Sequence, residues 1–143
     1  RQGLLDAALD EKNEAVRLWE RMCGLVERLA ESNPGFATRI RTSVEYGRLL
    51  FSIIAVAWKI LAAHESFRRS GEFPVEQTME ALALYDTLRA DYSELGKQPG
   101  CASLYLGEYF SLPGAPTAPG LDRSIAVARR DLVPAGEPCA AWA

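Results

Sequence analysis

The stretch that decides the fold is residues 36–70, FATRIRTSVEYGRLLFSIIAVAWKILAAHESFRRS. Its apolar residues recur at steps of three and four, the spacing of one face of an α-helix. The main apolar row consists of Ile40, Val44, Gly47, Phe51, Ile54, Trp58 and Leu61. A second row beside it widens the apolar face and consists of Leu50, Ile53, Val56 and Ile60. A helix that is apolar over most of its girth is packed on several sides. We therefore predict a central helix over 36–70, with a kink near Gly47.

An amphipathic helix is predicted on the N-terminal side of this segment, over residues 4–32. Its expected inward row has a heptad rhythm that only Lys12 breaks, and consists of Leu5, Ala8, Ala15, Trp19, Met22, Val26 and Leu29. The run Ser32-Asn33-Pro34-Gly35 should end this helix, because proline cannot continue one and glycine accepts a left-handed cap.

A third helix is predicted after Gly71, opening at Pro74 and ending near Glu94 or Leu95. Its expected inner row consists of Met79, Leu82, Tyr85, Leu88 or Arg89, Tyr92 and Leu95. Residues 1–98 are thus predicted to form a soluble, antiparallel bundle of three long helices.

The character of the sequence changes after residue 98, where six of the eight prolines lie. Residues 101–110 suit either a short helix or an extended stretch, and the prolines of 111–120 exclude regular structure. Helical spacing returns at the end, in Leu121, Ile125, Ala128 and Leu132. We expect an all-α domain: the bundle over 1–98, and over 99–143 a Pro-rich C-terminal segment with a short fourth helix packed on it.

Composition narrows the function classes. The net charge is −3 with both signs interspersed, whereas a nucleic-acid binder shows a basic stripe. The longest apolar run, residues 49–63, is shorter than a membrane span and contains Lys59. We therefore expect no nucleic-acid partner and no membrane partner.

The cysteines and the ends of the chain lead to predictions about metal binding and about the parent protein. Cys23, Cys101 and Cys139 are far apart and form no CxxC or Cys/His cluster, so we expect no metal and no cofactor. A Cys101–Cys139 disulfide is left open. The start at Arg1 and the excess of arginine over lysine suggest a piece of a larger bacterial protein, either cytoplasmic or secreted.

Few side chains are candidates for a site. His64, the only histidine, suits either a general base or a structural role, and without a sequence partner the structural role is favoured. Glu45 beside Tyr46 suits a sugar hydroxyl, although a surface ion pair with Arg41 at i,i+4 spacing or with Arg48 is favoured.

Aromatic residues supply the remaining candidates. Trp58, Tyr85, Tyr105 and Tyr109 offer flat amphipathic faces for sugar stacking or protein contact, and serve equally well as half-buried packing, which we favour. Together with His64 they are the candidate binding residues. No pair of carboxylates has the fixed separation across a cleft that glycosidase chemistry needs, so no catalytic residue is predicted.

Three stretches carry a family resemblance. They are residues 45–51 (EYGRLLF), Tyr85-Asp86 with Leu88, and residues 99–105 (PGCASLY). With the Trp58 helix they resemble the helical region that follows the barrel in bacterial proteins similar to family-20-type glycoside hydrolases, over residues 10–110. The resemblance implies a non-catalytic accessory domain that braces the catalytic domain of the same chain, with carbohydrate as a second partner. Catalytic acids of such enzymes lie on the barrel, so none is carried over.

Two other functions stay open from the residues alone. One is a helical protein–protein interaction module that offers a groove to a partner helix. The other is a small enzyme that uses His64 with glutamate or tyrosine partners, which would require a pocket reaching the imidazole.

Overall fold

The computed structural model describes residues 2–98 and 120–137, and their regular structure is α-helical throughout. Helix α1 spans Gln2–Ser32, α2 spans Pro34–Ser70, α3 spans Val75–Gly96 and α4 spans Leu121–Gly136. The predicted all-α class is confirmed for these residues, which contain no strand. The predictions for residues 101–119, and those for the C-terminal residues 138–143, lie outside the described residues.

The boundary between α1 and α2 is a single residue, Asn33. Its side-chain Oδ1 accepts a hydrogen bond from the backbone N–H of Phe36 at 3.2 Å, so it acts as an N-cap. Pro34 then occupies the first helical position, where the N–H that proline lacks would have no intrahelical partner. Helix α2 therefore begins two residues earlier than predicted.

The boundary between α2 and α3 follows the predicted punctuation. Gly71 has a φ of 74°, the left-handed conformation that glycine adopts without strain, and its N–H bonds to the carbonyl of Phe67. The Pro74 carbonyl accepts hydrogen bonds from both the N–H and the hydroxyl of Thr78, and Val75 is the first helical residue.

Gly47 has a packing role in α2, which continues as one helix through this position. A Cβ built on Gly47 would overlap the six-membered ring of Trp19 on α1. The absence of a side chain at this position is what allows the indole to lie against the α2 backbone.

Packing divides the described residues into two units. The first comprises residues up to Ala55 together with those from Asp86 to Gln98, so it contains α1, the first part of α2 and the last part of α3. One cluster of its core is formed by Val26, Ala37 and Val44, with partly buried Trp19, Cys23, Ala30 and Ile40 against it. The sequence-based partition at residue 98 stays a prediction.

The second unit comprises residues 56–85 and the described part of the C-terminal region, and thus contains the rest of α2 and α3 together with α4. Ile125, Ala128 and Leu132 of α4 are buried, as their spacing predicts. The predicted inner row of α3 is confirmed at five positions, which are Leu82, Tyr85, Leu88, Tyr92 and Leu95.

The inward face of α1 differs from the predicted one. Met22 is 42% exposed, whereas the buried and half-buried positions include a row at alternating steps of four and three, namely Leu5, Leu9, Lys12, Val16, Trp19, Cys23, Val26 and Ala30. The prediction combined this row with the neighbouring one, rotated by about 100°. Both rows are apolar, so the amphipathic pattern alone does not separate them.

Helix α2 is long and apolar enough to cross a membrane, judged by length and composition alone. Half of its most apolar window is buried within the chain. The core helix of a globular protein meets the same criteria, so the absence of a membrane partner stays a prediction.

Candidate functional site

His64 has a partner that the sequence did not reveal, Asp131 of α4. The imidazole Nε2 lies 2.8 Å from Asp131 Oδ2, and the His64 side chain is only 12% exposed. An ionised carboxylate only accepts hydrogen bonds, so Nε2 carries the proton in this pair. This hydrogen bond holds the pKa of Asp131 below its ordinary value, with a smaller contribution from neighbouring Arg130. The arrangement ties α4 to α2 within the second unit.

Tyr85 makes a second tie to α4. Its hydroxyl donates a hydrogen bond to Asp122 Oδ1, and the ring is buried. Asp122 and Asp131 are nine residues apart, or about 13 Å along a helix at 1.5 Å per residue. His64 and Tyr85 therefore bond to α4 at separate places and do not converge on one site.

The other predicted binding residues do not join these two. Trp58 is half-buried on α2, six residues before His64, which is about 240° around the helix, so the two side chains leave it in different directions. Tyr105 and Tyr109 lie outside the described residues.

A polar cluster lies in the first unit around Glu45, a residue that the sequence singled out, and it includes Cys23, which the sequence did not. Arg48 makes two hydrogen bonds to this carboxylate, Nε to Oε2 at 3.0 Å and Nη2 to Oε1. The thiol of Cys23, on α1, donates a long hydrogen bond to Oε2 at 3.9 Å. The Glu45 carboxylate thus bonds both to Arg48 on its own helix, α2, and to Cys23 on α1.

The favoured ion pair of Glu45 is confirmed, with Arg48 as the partner and not Arg41. Arg41 reaches across to α1 instead, where its Nε donates to Glu27 Oε1 at 3.0 Å and its Nη2 to Oε2 at 3.4 Å. Each carboxylate is thus paired with one arginine, Glu27 with Arg41 and Glu45 with Arg48. Tyr46, also singled out in the sequence, packs against Tyr92 with ring centroids 5.3 Å apart and ring planes tilted by 35°.

The Glu45 cluster borders a shallow cleft of about 170 Å³ between α1 and α2. The cleft is lined by Cys23, Val26, Glu27, Arg41, Val44 and Glu45. Glu27 pairs with Arg41 within the lining, and Glu45 pairs with Arg48 beside it. This leaves a mostly apolar floor with a single thiol, which is a poor match for a hydroxyl-rich sugar.

The electrostatics of the cluster oppose thiolate chemistry. Burial, and then the negative charge of Glu45, raise the pKa of the Cys23 thiol above its ordinary value. The hydrogen bonds from Arg48 lower the pKa of Glu45, and the same bonds raise that of Arg48. A nucleophilic cysteine needs the opposite environment, in which positive charge stabilises the thiolate.

Metal binding finds no support in the described ranges 2–98 and 120–137. No group of three or more histidine, cysteine, aspartate or glutamate side chains lies close enough there to hold an ion. Cys101 and Cys139 are outside those ranges, so their pairing stays open.

The sequence contains no local signal for the ties found here. His64 and Asp131 are 67 residues apart, and Tyr85 and Asp122 are 37 apart. Comparison with known proteins does not add to the geometry: no family model matches the chain, and neither a curated protein nor a solved structure matches it significantly.

Proposed function

We propose that this chain is a non-catalytic helical accessory domain of a bacterial, glycoside-hydrolase-like protein, and that it braces the catalytic domain of the same chain. The proposal that the domain is non-catalytic rests on the hydrogen bonds of its reactive side chains. The imidazole of His64, the hydroxyl of Tyr85 and the thiol of Cys23 each bond to a carboxylate on another helix. Such bonds hold helices together, and each of the three groups is a partner in one of them. The carbohydrate-active parent is supported by the resemblance of residues 10–110.

The proposal includes an antiparallel arrangement of the long helices. In the first unit, Glu27 pairs with Arg41, Cys23 with Glu45, and Trp19 with Phe51. Residue numbers fall along α1 as they rise along α2, which is the pattern of an antiparallel hairpin. We further propose that the C-terminal segment 99–143 packs on the bundle through α4, whose buried residues support this.

An activity assay with two variants tests the non-catalytic role. The purified chain should release no chromophore from a panel of aryl glycosides above the protein-free rate. His64→Ala and Tyr85→Phe should each lower the midpoint of thermal unfolding, because each removes a tie to α4. An enzyme that uses His64 would instead show turnover that His64→Ala abolishes while the unfolding midpoint stays unchanged.

The parent protein is tested separately, through the reading frame upstream of Arg1. The proposal requires a preceding pattern of alternating strands and helices, which is typical of a barrel. In that parent, a core substitution such as Leu132→Ala should lower the thermal stability of the glycosidase activity. A start codon close to Arg1 with no barrel pattern would contradict the accessory role.

A helical interaction module is the second candidate, and a specific observation favours it. Large apolar side chains of α1 are exposed, with Leu4 at 76%, Leu25 at 54%, Leu18 at 49% and Met22 at 42%. Leu18, Met22 and Leu25 are neighbours at steps of four and three, and clustered exposed apolar residues suit contact with another helix.

A further inference from the structure

A second apolar row runs along the outside of α1, beside the one that packs inward. We define this outer seam as Leu4, Ala8, Glu11, Ala15, Leu18, Met22, Leu25 and Leu29. Its members follow alternating steps of four and three, the spacing of the a and d positions of a coiled coil. Seven of the eight are apolar, and the seam extends about 37 Å at 1.5 Å per residue.

The outer seam is open to solvent in the first unit. Leu4, Leu18, Met22 and Leu25 are all exposed, while the alanines and Leu29 are half-buried toward the inward row. The face of α1 opposite the inward row is charged, as is usual for a helix with one packed face, and includes Asp10, Glu14, Arg17 and Arg21. The outer seam lies between these two faces, and its one charged residue is Glu11.

We propose that the outer seam pairs with the outer seam of a second copy of this chain, in antiparallel orientation. The seam is complementary to itself in that orientation. When residue numbers across the interface sum to 33, Ala8 faces Leu25 of the other copy and Ala15 faces Leu18. Two more layers form from Leu29 against Leu4 and from Met22 against Glu11.

Side-chain volume supports this register. Each alanine faces a leucine, so the layers alternate small against large, which lets facing helices interdigitate without voids. In a parallel pair, by contrast, Ala8 and Ala15 would face themselves and leave the helices poorly filled at two layers. The adaptable side chain of Met22 suits the position opposite the methylenes of Glu11.

Charge supports the same orientation. Glu14 and Arg21 lie on the edge of the outer seam that is remote from α2, seven residues apart. In the antiparallel pair Glu14 of each copy, which bonds to Arg17 of its own helix, lies beside Arg21 of the other, so two symmetric contacts between opposite charges form. A parallel pair would place the two Glu11 carboxylates against each other, and like charges at close range disfavour that arrangement.

The edge of the outer seam that lies toward α2 indicates that one helix from a second copy, and not several further helices, is the expected occupant. Trp19 and Val26 on that edge belong to the inward row and pack against α2. One further helix along the outer seam would therefore cover the exposed apolar residues Leu4, Leu18, Met22 and Leu25. The inference does not depend on the proposed accessory role, since it concerns only the apolar pattern and exposure of α1.

Sedimentation equilibrium of the whole chain tests the proposal. The chain should be a dimer at tens of micromolar, and Leu18→Glu should weaken the dimer at least tenfold, because residue 18 lies in a central layer. Leu84→Glu is the matched control, since Leu84 is 47% exposed on α3 and lies outside the outer seam. Circular dichroism at low concentration checks that both variants keep their helix content.

A charge swap tests the orientation. Arg21→Glu and Glu14→Arg should each weaken the dimer, and the double variant should restore it, because only the antiparallel pair sets these residues against each other. A chain that stays monomeric at several hundred micromolar would overturn the proposal. So would a monomer destabilised by Leu18→Glu, because the seam would then be covered by the chain itself. A dimer lost on Leu84→Glu and kept on Leu18→Glu would overturn it as well.

Discussion

The indole ring of Trp19 occupies the space that a side chain on Gly47 would take. Trp19 also stacks on Phe51, one turn further along α2, with ring centroids 5.7 Å apart. The glycine and the phenylalanine together form the surface on which α1 rests. A methyl group at residue 47 would therefore overlap a planar ring that also stacks on the neighbouring Phe51.

Gly47→Ala should destabilise the chain. In an open helix interior, replacing glycine by alanine stabilises by about 0.5–1 kcal/mol. At residue 47 the overlap with Trp19 costs about 1–3 kcal/mol, the range for overpacked cores, so the net effect should be a loss. The free energy of unfolding in urea measures it.

Gly24→Ala is the matched control for that substitution. Gly24 also lies within a helix, and a Cβ there meets no atom within 4 Å, so this change should raise the free energy of unfolding. Adding Trp19→Leu to Gly47→Ala should recover part of the loss. Equal stabilisation by both alanine substitutions would show that the indole does not limit the space at residue 47.

The inward row of α3 was predicted from the sequence. For α1, the predicted row contained some residues that face inward and others, such as Met22, that do not. In α3 the large apolar residues Leu82, Tyr85, Leu88, Tyr92 and Leu95 recur at steps of three and four, and all five are buried. Helix α1 has two adjacent apolar stripes, and hydrophobic periodicity does not tell which of them a neighbour covers. Met22 was misassigned for this reason.

The helix ends and the polar ties show the same division between local and distant information. Pro34 and Gly71 act on the backbone at their own positions, so both ends of α2 were predicted to within two residues. Asp131 becomes a partner of His64 only after α4 docks, 67 residues further along the chain. No periodicity or spacing carries that pairing.

The Glu45–Arg48 pair should make stability depend on pH in acid. The pKa of Glu45 is lowered in the folded chain, chiefly by the hydrogen bonds from Arg48. Its contribution is therefore complete above its ordinary value of 4.5 and is lost as pH falls through the lowered folded value. About a third of each side chain is exposed, so solvent screening limits the contribution to about 0.5–1 kcal/mol.

Urea unfolding of wild type and Glu45→Gln between pH 7 and pH 3 measures this dependence. The two proteins should differ near neutral pH and converge in acid. Glu27→Gln is the control, because the Glu27–Arg41 pair is more exposed and should contribute less. A Glu45→Gln difference that persists undiminished at the lowest pH would mean that the charge of Glu45 does not contribute.

The thiol of Cys23 should react slowly with alkylating reagents, and Glu45 should be part of the reason. Burial raises the pKa of the thiol first, and the Glu45 carboxylate raises it further, whereas Arg48 lowers it. Because the thiolate is the reactive form, Glu45→Gln should speed alkylation at neutral pH and Arg48→Met should slow it. Iodoacetamide labelling followed by peptide mass spectrometry separates Cys23 from Cys101 and Cys139.

Glu27→Gln is again the useful comparison for the thiol, because Glu27 lines the same cleft and does not bond to Cys23. It should leave the alkylation rate near that of the wild type. Equal acceleration by Glu27→Gln and Glu45→Gln would show that the cleft has merely opened and that no specific charge acts on the thiol.

Helix α4 should be an integral part of the second unit, although it follows a Pro-rich segment. Leu132 is fully buried, and Ile125, about two turns earlier on the same face of α4, is 2% exposed. Leu132→Ala should cost about 2–5 kcal/mol of unfolding free energy, the range for truncating a buried leucine. Val127→Ala, on the exposed side of α4, should change it by no more than about 0.5 kcal/mol. Urea unfolding followed by circular dichroism measures both changes, and a small effect at both positions would mean that α4 does not pack against α2 and α3.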